Sequence, residues 1–121
     1  MRALIDSDVL IDYLQGEPKA KAEIDRYDDP LYSVISWMEV MSGAASDKER
    51  NAARVLFQSM KRIELSHDVA QKAVLLRKSL KLKLPEAIIL ASADCEGCIL
   101  VSRNTKDFNP NDPRIRVPYS I

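Results

Sequence analysis

The sequence predicts one α/β domain built on a mostly parallel sheet of four to five strands. Two observations carry that expectation. Short apolar runs, of which Ala3-Leu4-Ile5 and Ile99-Leu100-Val101 are the clearest, alternate with longer segments whose apolar residues recur at helical spacing, the pattern left by strands covered with crossover helices. The 121-residue length gives room for one hydrophobic core and is too short for two ordinary domains. No repeat, low-complexity tract or linker divides the chain, so residues 1–121 read as one domain.

In chain order, Ala3-Leu4-Ile5 is the first strand, and a helix follows from about Asp8 to Leu14, where Gly16 and Pro18 stop it. A second helix covers Lys19 to Tyr27 and ends before the turn signal Asp28-Asp29-Pro30. Leu31 to Ile35 alternates as a short strand. Ser36-Trp37-Met38-Glu39 fits a capping box, with the serine at the N-cap and the glutamate three residues on, so a helix is expected from there to Ser42, closed by Gly43. Asp47 to Met60 is helical, with Ala52, Val55, Leu56 and Met60 at core spacing, and Arg62 to Leu65 is a strand. Val69, Ala73, Leu76 and Leu80 mark an amphipathic helix over Asp68 to Leu80. Pro85 suits the first turn of a helix through about Asp94. Ile99-Leu100-Val101 has the unbroken apolar character of a strand buried on both faces. Arg114 to Val117 is a late edge strand kept short by Pro113 and Pro118.

Charge narrows the function classes. Eighteen Lys and Arg cancel eighteen Asp and Glu, so the chain as a whole offers a polyanion no attraction, and any nucleic-acid contact has to come from a local basic patch or a bound metal. The N-terminus reaches Asp6 too soon to form a secretory signal, and no apolar run approaches the roughly 18 residues that span a bilayer. The expected location is the cytoplasm, with no membrane partner. Cys95-Glu96-Gly97-Cys98 invites a redox or zinc reading. A redox pair sits at a helix start, whereas this one sits at a helix end, and zinc needs two further ligands where His67 is the only histidine. The pair therefore reads as a helix ending at Gly97 and a buried Cys98 opening a strand.

The acids carry the chemistry. In open parallel sheets, ligands bind beyond the carboxyl ends of the strands. Asp6 directly follows the first strand, Asp107 lies in the loop after Ile99-Leu100-Val101, Glu39 falls in the first turn of the helix after Leu31 to Ile35, and Glu86 opens a helix behind Pro85. Taken singly, each has a structural explanation: Asp6 as a helix cap, Glu39 in a capping box, Glu86 at a helix start, Asp107 in a turn. As a set they call for a cation, because converging carboxylates resist joint ionisation. All-oxygen ligands favour magnesium or manganese, and such a site suits phosphodiester hydrolysis. The chain offers no Gly-rich phosphate loop, and His67 has no Ser or Cys partner motif.

With those residues placed, the sequence resembles the PIN-domain family, and within it a VapC-type toxin, along essentially its whole length. Four stretches carry the likeness: Leu4 to Asp12, Ser33 to Gly43, Leu84 to Ala93 and Leu100 to Phe108. The resemblance implies a three-layer α/β/α sandwich, a divalent-metal ribonuclease using Mg2+ or Mn2+, an RNA substrate, a homodimer and a small antitoxin protein as partner, in a type II toxin–antitoxin pair. By position it makes Asp6, Glu39, Glu86 and Asp107 the catalytic and metal-binding acids. Ser7, Asp8, Ser102 and Asn104 become supporting groups, and Arg103 and Lys106 the residues best placed on the RNA backbone. Two positions depart from the family. Glu86 stands where Asp is usual, and Asn104 stands where some relatives carry an acid, leaving the fourth acidic position open between Asp107 and Asn104. Trp37 and Met38 read as core residues, with anchors of an interface as the alternative.

Rival readings separate cleanly. A phosphoacceptor receiver domain needs an Asp after the third strand and a Lys-Pro after the last, but Leu65-Ser66-His67-Asp68 and Val117-Pro118 do not supply them. A PIN module that binds RNA or a protein without cleaving is distinguished by metal-dependent turnover. A housekeeping RNA-processing nuclease is the third reading: a short upstream antitoxin frame favours the toxin over it, and the absence of one leaves the two undivided.

Overall fold

The computed structural model describes residues 1–121. The chain runs β1 (Arg2–Ile5), α1 (Ser7–Leu14), α2 (Pro18–Asp25), β2 (Asp29–Ser33), α3 (Val34–Gly43), α4 (Asp47–Gln58), β3 (Lys61–Ile63), α5 (His67–Leu80), α6 (Leu84–Cys95), β4 (Ile99–Val101) and β5 (Ile115–Arg116). The strands form one sheet in the order β3-β2-β1-β4-β5, and all four pairings are parallel. From β1 the chain builds outward through β2 and β3, then crosses back to place β4 on the other side of β1. The gap between β1 and β4 is therefore a topological switch point, where ligand sites form in such sheets.

Register explains why the strands read as unbroken apolar runs. Leu4 pairs with Leu31 on one side and Leu100 on the other. This leucine row joins a 16-residue core with Val69, Ala73 and Leu76 of α5 and Ala87 to Ala91 of α6. Neighbouring strand residues face the opposite way. Ala3, Ile5, Tyr32 and Val101 accordingly enter a second, 13-residue core with Val9 and Leu10 of α1, Ala20 and Ile24 of α2, and Ala53, Leu56 and Phe57 of α4. Helices on both faces make the expected three-layer α/β/α sandwich. No helix is long and apolar enough to cross a membrane.

Several local expectations are corrected. The cap of α3 is Ser33, whose Oγ accepts from the Ile35 N–H at 3.1 Å; it is not Ser36, which is wholly buried inside the helix. The β-branched Val34 and Ile35 read as strand, but they form the first turn. In α4 the buried stripe is Ala53, Leu56 and Phe57, leaving Val55 66% exposed. Phe57 meets the ring of Tyr32 at 4.4 Å between centroids, which fixes the phase of the helix. Leu80 is exposed at the end of α5, and Met38 is 51% exposed, whereas Trp37 packs partly buried beneath Arg62, 5.0 Å from its ring. Ser66 caps α5, which begins at His67, one residue earlier than expected. Gly97 closes α6 at φ +65°, a left-handed conformation that lets Cys98 N–H reach Ala93 O at 3.1 Å, and the strand starts one residue later, at Ile99. Cys98 itself is only partly buried.

Candidate active site

Asp6 follows β1 and caps α1, and its backbone N–H donates to Val101 O of β4 at 2.9 Å, which sets it across the switch point. The side chain is 6% exposed. Oδ1 accepts from the Ser7 N–H at 2.7 Å, and Oδ2 from Ser102 Oγ at 2.6 Å. Those donors favour the charged carboxylate, yet burial, aided by the charges of Asp8 and Glu39, outweighs them and pushes Asp6 up to about 7. Asp6 is thus in a site that resists a full set of negative charges.

The shift of the α3 cap to Ser33 moves Glu39 out of the first turn, so its carboxylate has no capping role. It reaches back to α1, where Ser7 Oγ donates to Glu39 Oε1 at 2.6 Å and lies 3.0 Å from the buried Ser36 Oγ. One hydroxyl has one proton, and the charged, nearer acceptor is the stronger claim on it. Glu39 is oriented by Ser7 while remaining exposed.

The segment after β4 touches three acids in succession. Ser102 holds Asp6; Arg103 N–H donates to Asp8 Oδ2 at 3.1 Å; and Asn104 Nδ2 donates to Asp107 Oδ2 at 2.9 Å while its Oδ1 accepts the Asp107 N–H at 3.1 Å. The Asn104 N–H in turn donates to Ser102 Oγ at 3.0 Å. Asn104 therefore bonds Asp107 at both its side chain and its backbone. The Lys83 ammonium stands 3.7 Å from Asp107 Oδ2 and partly offsets its charge. Asp8 lies beside Asp6, its pKa raised mainly by burial against the help of Arg103, and its Oδ1 is buried with no partner.

Glu86 sits in the first turn of α6, with Oε2 also buried and unpartnered. The structure links Asp6, Asp8, Glu39 and Asp107 through Ser7 and residues 102–104; Glu86 enters none of those bonds. No three His, Cys, Asp or Glu side chains already meet at metal-ligand spacing. The donor set nevertheless fits a hard divalent cation. Magnesium takes one or two carboxylates directly and keeps several waters, and Asp8 Oδ1, beside Asp6, is buried without the hydrogen bond that such an atom normally has, as is Glu86 Oε2 at the start of α6.

The basic residues divide. Lys106 is exposed. Arg103, expected on an RNA backbone, is instead held bidentate by Asp12, Nε to Oδ2 at 2.6 Å and Nη2 to Oδ1 at 3.0 Å. Asp12, 7% exposed, also accepts from Tyr119 OH at 2.8 Å. Sequence reasoning missed Asp12 as a site neighbour, although it lies one helical turn beyond Asp8 on α1 and so on the same face.

Comparison with known proteins agrees with this architecture. A chain of a toxin–antitoxin complex from Klebsiella pneumoniae is 40% identical, with a TM-score of 0.91, covering 98% of this chain and 99% of that one. FitAcB from Neisseria gonorrhoeae (19% identity, TM-score 0.81, 98% and 99% covered) and VapBC2 from Rickettsia felis bound to a promoter DNA fragment (16% identity, TM-score 0.79, 95% and 96% covered) share the fold. No curated protein matches significantly. The PIN domain family model matches residues 3–110, and the chain belongs to the PIN-domain family.

Proposed function

We propose that the protein is a divalent-metal-dependent endoribonuclease, the VapC-type toxin of a type II toxin–antitoxin pair. The observation that carries this reading is the buried Asp6 at the β1–β4 switch point, held by Ser7 and Ser102, with Asp8 and the Ser7-bound Glu39 beside it. An uncompensated group of carboxylates would repel a phosphodiester; a cation among them turns that repulsion into attraction. Asp6, Glu39, Glu86 and Asp107 are the residues that would hold Mg2+ or Mn2+, with Asp8 adding charge. A bound divalent ion supplies Lewis-acid polarisation of the phosphoryl group and acidifies water.

The chain's own groups have separate tasks. Ser7 and Ser102 fix Glu39 Oε1 and Asp6 Oδ2, so these carboxylates meet the substrate without first reorganising. Asn104 keeps Asp107 in place, and its amide leaves Asp107 to carry the fourth negative charge. Lys106, exposed in the same loop, is suited to a backbone phosphate.

The likeness to a chain of the Klebsiella toxin–antitoxin complex, 40% identical, supports a small antitoxin as partner. A homodimer belongs to this reading, and solution mass measures it. A cytoplasmic location goes with this reading. RNA cleavage with magnesium, with manganese and with chelator tests the function. Metal-dependent, chelator-sensitive cleavage is the expected result; RNA binding without turnover would favour the non-cleaving module.

A further inference from the structure

Asp12 has no part in the acidic set, yet it is a buried carboxylate whose hydrogen bonds all run to two residues far away in sequence. Arg103 arrives from the loop after β4 and Tyr119 from the C-terminal segment, and the Arg103 guanidinium also lies 5.9 Å from the Tyr119 ring. What Arg103 carries is the segment 102–104, whose three residues each hold a different acid: Asp6, Asp8 and Asp107. Beyond Ser102, whose N–H donates to Arg116 O of β5 at 3.0 Å, the segment leaves the sheet as irregular backbone, so at Arg103 and Asn104 a side-chain anchor supplies the rigidity that a strand would otherwise give.

We propose that Asp12 is a positioning residue of the active site: with Tyr119 it clamps Arg103, and through Arg103 it fixes the Ser102–Asn104 backbone that orients Asp6, Asp8 and Asp107. Its kinetic consequence rests on the nuclease reading above; its structural consequence does not. The bidentate fork makes the clamp directional, since two parallel N–H donors fix the plane of the guanidinium where one would leave it free to swivel.

The molecule contains its own control. Glu23, 4% exposed, holds Arg116 bidentate at 2.7 and 2.9 Å and accepts from Tyr27 OH at 2.7 Å. This is the same carboxylate–arginine–tyrosine chemistry, but none of its side chains bonds to the acids or to Arg103 and Asn104; its one link to the segment is the Arg116 backbone carbonyl, which accepts the Ser102 N–H at 3.0 Å and does not depend on the Glu23 side chain. Breaking either pair leaves an arginine charge partly buried and unmatched, so both cost stability. Only the Asp12 pair should also cost orientation.

The experiment compares Asp12→Asn, Tyr119→Phe and Glu23→Gln with the natural chain by melting temperature, amide hydrogen exchange and steady-state RNA cleavage with magnesium. In Asp12→Asn the Arg103 and Asn104 amides should exchange at least about tenfold faster, and kcat should fall about tenfold or more with KM within about twofold, as expected when a supporting partner of a metal site is lost. Tyr119→Phe should move the same quantities less. Glu23→Gln should lower the melting temperature and leave both amides and kcat near the natural values. Unchanged Arg103 and Asn104 exchange in Asp12→Asn, or a kcat loss no greater than that of Glu23→Gln, overturns the proposal. If Asp12→Asn does not fold, Tyr119→Phe decides by the same criteria. A natural chain that cleaves no RNA sinks the nuclease reading, and the exchange measurement still decides the clamp.

Discussion

Ser102 Oγ lies 2.6 Å from Asp6 Oδ2, so the residue that follows β4 holds the residue that follows β1. The bond exists because β1 and β4 are parallel neighbours, with Ile5 opposite Val101. It brings a donor to a carboxylate that burial would otherwise neutralise, and Asp6 settles between these influences, at about 7.

Asp6→Asn should therefore separate chemistry from folding. The amide keeps the shape, removes the charge that burial opposes and costs little packing, so the melting temperature above pH 7 should hold or rise. Cleavage should fall by about 10²-fold or more, the scale on which a mispositioned or missing site group is felt. Parallel measurement of rate and melting temperature checks this. Full activity in the variant removes Asp6 from the site.

The same residue gives the metal-free protein a pH dependence of known sign. The usual carboxylate value is 3.8, and in the fold Asp6 is raised to about 7. Between these values the folded state holds a proton that the unfolded chain has released, so stability falls as pH rises through this window and is level above it. Asp8, also raised, adds to the slope with the same sign. One group contributes at most about 1.4 kcal/mol per pH unit. Magnesium or manganese at constant ionic strength should restore stability at pH 8 and do little at pH 5, because a cation binds the ionised site. Denaturant titrations in chelator and in metal measure both effects; no response to either metal at pH 8 would argue for a metal-free binding module.

Lys106→Ala should weaken substrate binding without touching the chemistry. Lys106 is exposed and forms no ion pair, so its charge is free to meet a phosphate. KM should rise with kcat nearly unchanged, and the salt dependence of binding should flatten by about one counterion. A fall in kcat at constant KM would place Lys106 in the reaction instead.

The strands and the order of elements were legible because burial on both faces forces unbroken apolar runs, as at Leu4 and Leu100. The acids could be picked out because the carboxyl ends of parallel strands are where ligand groups gather. Local signals failed where two patterns overlapped. Ala52, Val55 and Leu56 have the same spacing as Ala53, Leu56 and Phe57, and only the packing of Phe57 on Tyr32 chooses between them. Ser33 and Ser36 are both plausible caps, and the choice turned on where β2 stops pairing with β3, at Ser33 opposite Ile63. The Asp12–Arg103–Tyr119 contact was out of reach for a different reason: its members are joined only by the fold, and a tyrosine in a short C-terminal segment has no periodicity to flag it.

Glu86 is the most exposed point of the four-acid reading. It departs from the family's usual aspartate, takes part in none of the hydrogen bonds that tie the other acids together, and keeps Oε2 buried without a partner. Such an atom costs free energy unless something meets it, and a hard cation or its water would do so. Glu86→Gln keeps the shape and removes the charge, so cleavage should drop by about 10²-fold if the residue is a ligand. Glu86→Asp restores the usual residue but withdraws the carboxylate by one methylene. In a site tolerant of that shift, activity should hold or increase; in one tuned to within about half an ångström it should fall. A dead Gln variant beside an active Asp variant identifies an ordinary ligand, and two dead variants identify a site built around glutamate. A fully active Gln variant in an enzyme that cleaves would leave Glu86 as a residue that favours the start of α6 through the helix dipole, and the acid set would then close at Asp6, Glu39 and Asp107.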